Sequence, residues 1–330
     1  MVYSAFGSNR PIVLSFLIAP AIALVVAAAY SVTAGEYGLG GPATDLLFDL
    51  FRDMPVWRRS LGMVLILSNA VLLNNIFNKH DFSSSENYFP ALVFVSLSAV
   101  DFRNIDLHPI LFSSLFMLFA LRRLLTVYRA ESALSIGFDS TLFLSLAIFF
   151  FPPAVFLLPL TWLVFLQVRP FSLREWLVPV TAITAAVIYA FSFYFIGGYT
   201  FDASEYLIFS GNSFVLPEED GRVGVLFMIA LFFVLSILGL VGFFTDIAKS
   251  TLRKKSTKYI FLWAFFLMVL EYLYVSFLDI RQSGNWLIFA VPVSVFMSVY
   301  FSGKGKRPLI KIILFYIWLI ACASFMVFAN

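Results

Sequence analysis

Apolar segments recur along the whole chain and constrain its fold more than any other feature. They show no alternation of apolar and polar residues, which favours helices over the strands of a barrel. Inside a lipid bilayer every backbone polar group must be paired within the protein, as it is in a helix. The sequence therefore predicts an all-α, polytopic transmembrane helical bundle of about eleven helices, some of them short. The apolar segments are 11–33, 60–78, 88–100, 109–121, 139–151, 153–168, 176–196, 222–245, 259–278, 286–301 and 308–328.

The composition agrees with a single integral membrane domain over residues 1–330. Charged residues make up 12% of the chain, which is about half their share in soluble domains. The single cysteine, Cys322, excludes an internal disulfide and a cysteine-based metal cluster. Nucleotide-binding, zinc-protease and serine-hydrolase motifs do not occur in the sequence. We therefore expect membrane lipids as partners and no nucleic acid.

The lengths of the segments decide how they can cross a membrane, since a full span needs about 20 residues. Segments 88–100 and 109–121 are shorter, so they cross only if their polar ends sit in a cavity lined by protein. The run 139–168 either crosses twice or forms one hairpin bent at the Phe-Pro-Pro sequence of residues 151–153. Residues 11–31 are too long for the apolar region of a typical signal peptide, so this segment is predicted to be retained as the first spanning helix.

The basic residues predict an orientation. If the segments cross alternately, 16 of the 22 Lys and Arg residues fall on one side. The positive-inside rule puts that side in the cytoplasm, with the N-terminus, and puts the C-terminus in the periplasm. The residues on that side are Arg10, Lys79, Arg122, Arg123, Arg129, Arg169, Arg174, Lys249, Arg253, Lys254, Lys255, Lys258, Lys304, Lys306, Arg307 and Lys311.

The first outer loop, 34–59, contains an amphipathic stretch at 42–55. Apolar and polar side chains separate onto opposite faces at helical spacing, which predicts a helix lying in the membrane interface. The apolar face carries Leu46, Leu47, Leu50, Phe51 and Met54, and the polar face carries Asp45, Asp49, Arg52 and Asp53.

Two outer loops carry candidate catalytic acids. Glu36 follows the first apolar segment in a glycine-rich turn, where its carboxylate could serve as a general base. In the loop 101–108, Asp101 or Asp106 could act as a base or hold a divalent metal. Arg103 and His108 are candidate substrate-binding groups, and His108 is also predicted to cap the helix that begins at Pro109. Both loops are equally compatible with plain connecting turns.

Two further residues are candidate binding groups. Arg281, in the outer turn 279–285, could hold a phosphate through two hydrogen bonds, or pair with Asp279. Glu271 lies midway along the segment 259–278. A carboxylate at bilayer depth costs about 2.5–3.5 kcal/mol on insertion scales, so we expect it to face the bundle interior. There it could be a structural pairing group or part of a substrate pathway. The asparagines of segment 60–78 are expected to link helices.

The sequence Leu73-Asn74-Asn75-Ile76-Phe77, and the region from Phe151-Pro152-Pro153 to Arg169-Pro170, resemble a family of uncharacterised polytopic inner-membrane proteins of Bacteroidetes. This resemblance implies a bacterial inner membrane as the location. The layout of residues 1–200 also resembles the GT-C membrane glycosyltransferases. Those enzymes have an acid after the first helix, amphipathic helices in the first external loop and further acids in a second external loop.

The GT-C resemblance implies a function and its residues. Residues 1–200 would form the GT-C-like module, and 201–330 would add helices. Glu36 would be the catalytic base, Asp101 or Asp106 the second acid, and Arg281 a ligand of the lipid phosphate. The substrate would be a sugar on a polyprenyl-phosphate donor at the periplasmic face.

Two other functions stay open. One is a transporter or flippase of a lipid-linked substrate, with Glu271 and the asparagines lining its path. The other is a non-catalytic subunit of an envelope complex, which would bind a membrane protein partner.

Overall fold

The computed structural model describes residues 40–51, 53–83, 85–98, 107–197, 222–278, 285–303 and 308–328. These residues form α-helices joined by turns and three short 3₁₀-helices, at Val127–Arg129, Pro152–Leu157 and Asn285–Phe289. The α-helices are α1 Pro42–Leu50, α2 Pro55–Lys79, α3 Phe89–Ser98, α4 Pro109–Leu124, α5 Leu134–Phe150, α6 Leu160–Val168, α7 Leu173–Gly197, α8 Arg222–Lys249, α9 Leu252–Leu278, α10 Ala290–Ser302 and α11 Pro308–Phe328. The predicted all-helical fold is confirmed for this part of the chain.

Three of these helices are long and apolar enough to cross a membrane: Pro55–Lys79, Leu173–Ser192 and Lys254–Val275. Shorter apolar stretches of 10–17 residues lie in other helices, among them Phe89–Ser98, Leu134–Phe150 and Phe232–Ala248. These lengths agree with a membrane protein. The polytopic bundle of about eleven apolar segments, of which 11–33 lies outside the described residues, stays a prediction.

Proline marks where several helices begin and where one is broken. Helices α1, α2 and α4 each start at a proline, where the missing N–H would have had no partner in the helix. Pro152 and Pro153 follow α5 directly and start a 3₁₀ turn instead of continuing the helix. The break predicted for residues 151–153 is therefore confirmed.

Helices α5 and α6 form a hairpin around this break. The Thr141 hydroxyl donates to the Thr161 hydroxyl over 3.1 Å. Gly137 lies one helical turn before Thr141, and Phe165 lies one turn after Thr161. The Phe165 ring packs against Gly137. Arg169, just after α6, donates to the carbonyl of Ala130, just before α5. The run 139–168 thus returns to the end at which it started, and whether it crosses the membrane twice stays a prediction.

Contacts between helix ends define two ends of the bundle. We call one the Lys258 end. There Lys258 pairs with Asp246, Lys254 with Asp81 at 3.5 Å, and Arg169 with Glu175 at 2.8 Å. The Trp263 indole N–H donates to Gln167 over 3.1 Å and ties α9 to α6 at this end. The segments joined here are those that the basic residues assign to the cytoplasmic side.

Helix α10 lies in the centre of the bundle. Its side chains are buried except for Tyr300 and Ser302, and it packs mainly against α3 and α8. A Cβ added at Gly239 of α8 would lie 2.8 Å from the carbonyl carbon of Phe296, so the two backbones are in close contact. Aromatic rings fill the space around it: Phe296 contacts Phe243 and Phe265 with centroids 5.0 and 5.2 Å apart.

The predicted amphipathic helix is present as α1, but it is shorter than the predicted stretch 42–55, since it ends at Leu50 and α2 begins at Pro55. Leu47 and Phe48 pack against the core, and the buried Thr44 lies on the same side. Leu50 and Met54, assigned to the same apolar face, are 69% and 51% exposed on the protein surface. Met54 lies beyond the end of α1, and the location of this helix in a membrane interface stays a prediction.

Candidate functional site

The second end of the bundle, which we call the His108 end, is built where α1, α4 and α5 meet. The backbone N–H of Gly41 donates to the carbonyl of Phe150 over 2.9 Å, and the Thr44 hydroxyl donates to the same carbonyl over 2.7 Å. This carbonyl lies in the last turn of α5, where backbone oxygens have no partner within the helix. The Phe150 ring stacks on Phe112 of α4 at 4.5 Å. The three helices are thus linked around one residue.

His108 lies at the start of α4 and is 2% exposed. Its Nδ1 accepts a hydrogen bond from the backbone N–H of Ile110 over 3.3 Å, so the predicted cap is confirmed. The cap fixes the orientation of the imidazole relative to the helix. The other ring nitrogen, Nε2, is buried.

The C-terminal half of α9 lies at the same end. Tyr274 contacts Phe156, in the 3₁₀ turn after α5, at 5.0 Å between ring centroids. Tyr272 contacts Phe289 at 4.9 Å. Glu271, next to Tyr272, is 3% exposed, which confirms the expectation that it faces the interior. The 3₁₀-helix Asn285–Phe289 packs against both α9 and α4.

Most of the predicted site residues lie outside the described residues: Glu36, Asp101, Arg103, Asp106 and Arg281. The segments that follow them are described. Gly41 is bonded to Phe150, Leu107 and His108 precede α4, and Asn285–Phe289 contacts α4. The structure therefore brings together the flanks of all three polar segments at the His108 end. Of the predicted residues themselves, it places His108 and Glu271.

Sequence reasoning missed two arginines at this end. Arg58 and Arg59, in the first turn of α2, are only 6% and 5% exposed. The guanidinium of Arg58 lies over the ring of Phe48 in α1, 5.4 Å from its centroid. In the sequence they are two of the six Lys and Arg residues that remain for the outer side once 16 of the 22 are assigned to the inner side. A signal was present in their position, three and four residues after Pro55 at the beginning of a 25-residue apolar helix.

Polar side chains also lie inside the bundle. The Asn69 amide donates to the carbonyl of Leu65 over 3.0 Å and to that of Leu111, in α4, over 2.9 Å. This confirms for Asn69 that an asparagine of α2 links helices. Its Oδ1, the Asn74 Oδ1 and the Ser98 Oγ are buried without a hydrogen-bond partner in the described part of the chain.

Metal ligands are not clustered in the part of the chain that the structure describes. No group of three or more His, Cys, Asp or Glu side chains occurs there at a spacing that could hold an ion. The acids of the loop 101–106 lie outside that part, so the expected divalent metal stays a prediction.

Comparison with known proteins gives no family to which the chain can be assigned. No protein family, no curated protein and no solved structure matches it. The function must therefore be argued from its own residues.

Proposed function

We propose that the protein is a GT-C-like membrane glycosyltransferase that takes its sugar from a polyprenyl-phosphate donor at the periplasmic face of the inner membrane. The sugar acceptor would carry a hydroxyl group. The site would lie at the His108 end, with Glu36 as the catalytic base. Asp101 or Asp106 would be the second acid, and a divalent metal held by them is compatible with this role.

One observation carries the proposal, namely that the flanks of the three polar segments meet around the start of α4. Glu36 precedes Gly40 by four residues, Asp106 precedes Leu107 directly, and Arg281 precedes Asn285 by four. Four residues of chain span at most about 14 Å. Acids and a phosphate-binding arginine from distant parts of the sequence thus have short tethers to one region.

The chemistry requires these residue types. The acceptor hydroxyl attacks the anomeric carbon of the sugar, and the bond from that carbon to the phosphate oxygen breaks. The carboxylate of Glu36 takes the hydroxyl proton, and the lipid leaves as polyprenyl phosphate. Arg281 would stabilise the negative charge that develops on the phosphate, while Arg103 and His108 would bind the sugar or the acceptor.

Glu36→Gln tests the proposal because it removes the base and keeps the size of the side chain. In cells that lack the gene, we expect a missing envelope glycan and accumulation of the unused polyprenyl-phosphate sugar. We expect Glu36→Gln to reproduce both defects, with transfer slowed by about 100-fold or more. Lipid-linked sugars and glycans would be measured by mass spectrometry at matched expression levels.

Glu131→Gln is the matched control, since Glu131 is an exposed acid before α5 at the Lys258 end. It should restore the glycan fully. Full restoration by Glu36→Gln, or a deletion strain with unchanged lipid-linked sugars, would remove the case for catalysis.

A second function is favoured by the buried polar groups. Glu271 is buried, and the Asn69 Oδ1 and Ser98 Oγ have no partner in the described residues. Such groups inside a membrane protein are typical of a pathway for a polar substrate. A flippase of a lipid-linked substrate would use them, and Glu271→Gln would then slow lipid translocation in proteoliposomes. Unchanged translocation in that variant would count against this function.

A further inference from the structure

We propose that the junction of α1, α4 and α5 lies near the middle of the membrane, and that α1 is a re-entrant helix that climbs from this depth beside water. We call this place the Phe150 junction; it comprises Gly41, Thr44, Leu111, Phe112 and Phe150. The inference deepens the proposed function, on which it rests for the nature of the substrates. It gives the depth of the site and the route by which a water-soluble acceptor reaches it.

Helix α2 gives a first measure of depth. It is a candidate span, and Asn69 lies 14 residues after its first residue, Pro55, and 10 before its last, Lys79. These separations correspond to about 21 Å and about 15 Å of helix. The hydrocarbon core of a bilayer is about 30 Å thick. A spanning α2 therefore puts Asn69 near the middle of the membrane.

Contacts with α2 give the depth of α4 and α5. The Asn69 amide donates to the carbonyl of Leu111, in the first turn of α4, over 2.9 Å. The next residue, Phe112, stacks on Phe150, the last residue of α5, with ring centroids 4.5 Å apart. Helix α4 thus begins, and α5 ends, at about the depth of Asn69 and well short of the outer end of α2.

Helix α1 begins at the same depth. The backbone N–H of Gly41 and the Thr44 hydroxyl both donate to the carbonyl of Phe150. Gly41, Pro42 and Thr44 are buried, and proline has no N–H to satisfy. Irregular backbone at membrane depth is tolerated only where it is buried in protein or lines a water-filled cavity. The start of α1 meets the first of these conditions.

The other end of α1 approaches the outer end of α2. The ring centroid of Phe48 lies 5.4 Å from the guanidinium of Arg58, in the first turn of α2. Arg58 is about 16 Å of helix from Asn69, and Phe48 is about 10 Å of helix from Gly41. Helix α1 therefore climbs through the outer half of the membrane. This arrangement differs from the flat interfacial helix expected from its amphipathic sequence.

Helix α9 gives a second measure of depth, which does not involve α1 or α4. Phe82 stacks on Phe77, near the Lys258 end of α2, at 5.7 Å and contacts Phe261 of α9 at 5.1 Å. The two helices are therefore level there. Tyr272, about 16 Å of helix further towards the His108 end, contacts Phe289 at 4.9 Å. The 3₁₀-helix that leads into α10 thus lies at a similar depth.

The two measures agree to within one helical turn, since Asn69 is about 12 Å of helix from Phe77. Helix ends from several parts of the sequence therefore share one depth. Polar substrates of transporters bind at such a depth, where interrupted helices meet.

The exposed face of α1 shows where water reaches this depth. Asp45 is exposed and lies four residues, or about 6 Å of helix, from Gly41. A charged side chain within the membrane faces either the protein interior or a water-filled cavity. Because Asp45 is on the surface of the protein, we infer that this face of α1 borders water that extends below the lipid headgroups.

The depth decides which substrates can meet at the Phe150 junction. Lipid phosphates lie at headgroup depth, about 15 Å from the middle of the hydrocarbon core. A lipid-linked donor therefore reacts there only after its polar group has been drawn inward. The acceptor arrives through the water beside α1.

Fluorescence quenching in lipid nanodiscs tests the depth. In a Cys322→Ala background, Val71→Cys and Val56→Cys of the full-length protein are each labelled with bimane. Both valines are exposed on α2, by 50% and 58%, and Val71 lies two residues from Asn69. The quenchers are phospholipids with a doxyl group either near the headgroup or near the end of the acyl chain.

We expect the label at Val71 to be quenched about twofold or more strongly by the deep doxyl group than by the shallow one, since one leaflet is about 15 Å thick. Val56, the matched control about 22 Å of helix away, should show the reverse preference. Stronger quenching of the Val71 label by the shallow group would put the Phe150 junction near the surface and overturn the proposal.

Cysteine labelling in the same nanodiscs, where a charged maleimide reaches both faces, tests the water beside α1. Asp45→Cys should react about tenfold or more faster than Val64→Cys, because a thiol in apolar surroundings forms little thiolate. Val64 is the matched control, since it is 56% exposed and about 8 Å of helix outward of Asn69. Both cysteines should react fully once dodecyl sulphate has unfolded the protein.

Two results of the labelling would overturn the proposal. Equal, fast labelling of Asp45→Cys and Val64→Cys would show that the outer half of α2 is in water and outside the membrane. Equal, slow labelling of both would show that no water borders α1. Neither measurement depends on sugar transfer, so a shallow junction would leave the proposed function standing. Loss of the case for catalysis through Glu36→Gln would in turn leave the measured depth unchanged.

Discussion

At the scale of single residues, Asn69 shows how a side-chain amide joins two helices in this bundle. Its two N–H groups donate to carbonyls of α2 and α4, and the side chain is fully buried. The carbonyl of Leu111 that it reaches also accepts from the Ser114 hydroxyl, so it has a second partner. The Leu111 carbonyl therefore keeps a partner when the amide is removed, whereas the hydrogen bond between α2 and α4 is lost.

Asn69→Ala removes this link, and we expect it to lower the free energy of unfolding by about 1–2 kcal/mol, the net contribution of two hydrogen bonds. Unfolding by sodium dodecyl sulphate in mixed micelles measures the change. Asn78→Ala is the comparison, since Asn78 bonds to Asn87 within the partly exposed turn between α2 and α3. A larger loss for Asn78→Ala than for Asn69→Ala would show that the interhelical bond is not the stronger one.

Residues also differ in how far their surroundings can be inferred from the sequence. The cap by His108 could be predicted because it depends on the residue next to it, Pro109. The burial of Glu271 could be predicted because a carboxylate avoids lipid. The burial of Arg58 could not, since it depends on Phe48 of another helix, and the pairing of α1 with α2 is not encoded in local spacing.

At the scale of helices, two glycines of α8 have different surroundings although both are in the same helix. A Cβ at Gly239 would meet the backbone of Phe296 and Met297 at 2.8 and 2.9 Å, distances that real Cβ atoms do not show. A Cβ at Gly242 would meet Tyr300 at 3.7 Å, which is ordinary contact. Close packing of α8 and α10 thus depends on Gly239.

We expect Gly239→Ala to destabilise the protein by about 1–3 kcal/mol, the usual effect of overpacking, because α8 and α10 must move apart. Gly242→Ala should be neutral or slightly stabilising, since alanine favours the helix. Thermal unfolding in detergent measures both. Equal stability of the two variants would contradict the close approach of these helices.

Docking of α1 depends on Gly41 in a similar way. A Cβ there would lie 2.3 Å from the carbonyl oxygen of Phe149, whereas a Cβ at Gly40 would meet only side chains, at 3.2 Å or more. We expect Gly41→Ala to release α1 and to raise hydrogen exchange of its amides, with Gly40→Ala unchanged. Exchange measured by mass spectrometry would show this, and equal protection of α1 in both variants would contradict the docking.

The helices divide into those that the sequence outlines well and those that it does not. The start of α4 and the break after α5 agree with the predictions because proline marks them. Segment 88–100 becomes the ten-residue α3, and 286–301 becomes a 3₁₀ turn followed by α10. Apolar composition does not distinguish a helix from a buried turn, so hydropathy alone could not give these bounds.

At the scale of the whole molecule, the described contacts separate two ends with different chemistry. The Lys258 end carries ion pairs of Arg123, Arg169, Lys254 and Lys258. The His108 end carries the buried His108 and the arginine pair beside α1. The basic residues of the sequence predicted such a division, whereas the meeting of the described flanks of three polar segments around α4 needed the tertiary structure.

Cysteine labelling tests the proposed orientation of these two ends. In a Cys322→Ala background, which removes the one native thiol, Asp49→Cys reports on the His108 end and Ser132→Cys on the Lys258 end. We expect an impermeant maleimide to label Asp49→Cys in cells with an intact inner membrane and Ser132→Cys only after lysis. The opposite pattern would place the His108 end in the cytoplasm and reject a periplasmic site.

The central position of α10 has a consequence for how the protein is made. Thirteen residues of helix are about 20 Å long, less than the hydrocarbon thickness of about 30 Å, so α10 is a poor substrate for insertion on its own. Nearly all of its side chains contact protein, so its stability comes from its neighbours. We infer that α10 reaches its place only after α3 and α8 are in the membrane. Biogenesis then follows an order in which the middle of the bundle is completed late, and a partly assembled chain lacks its central helix.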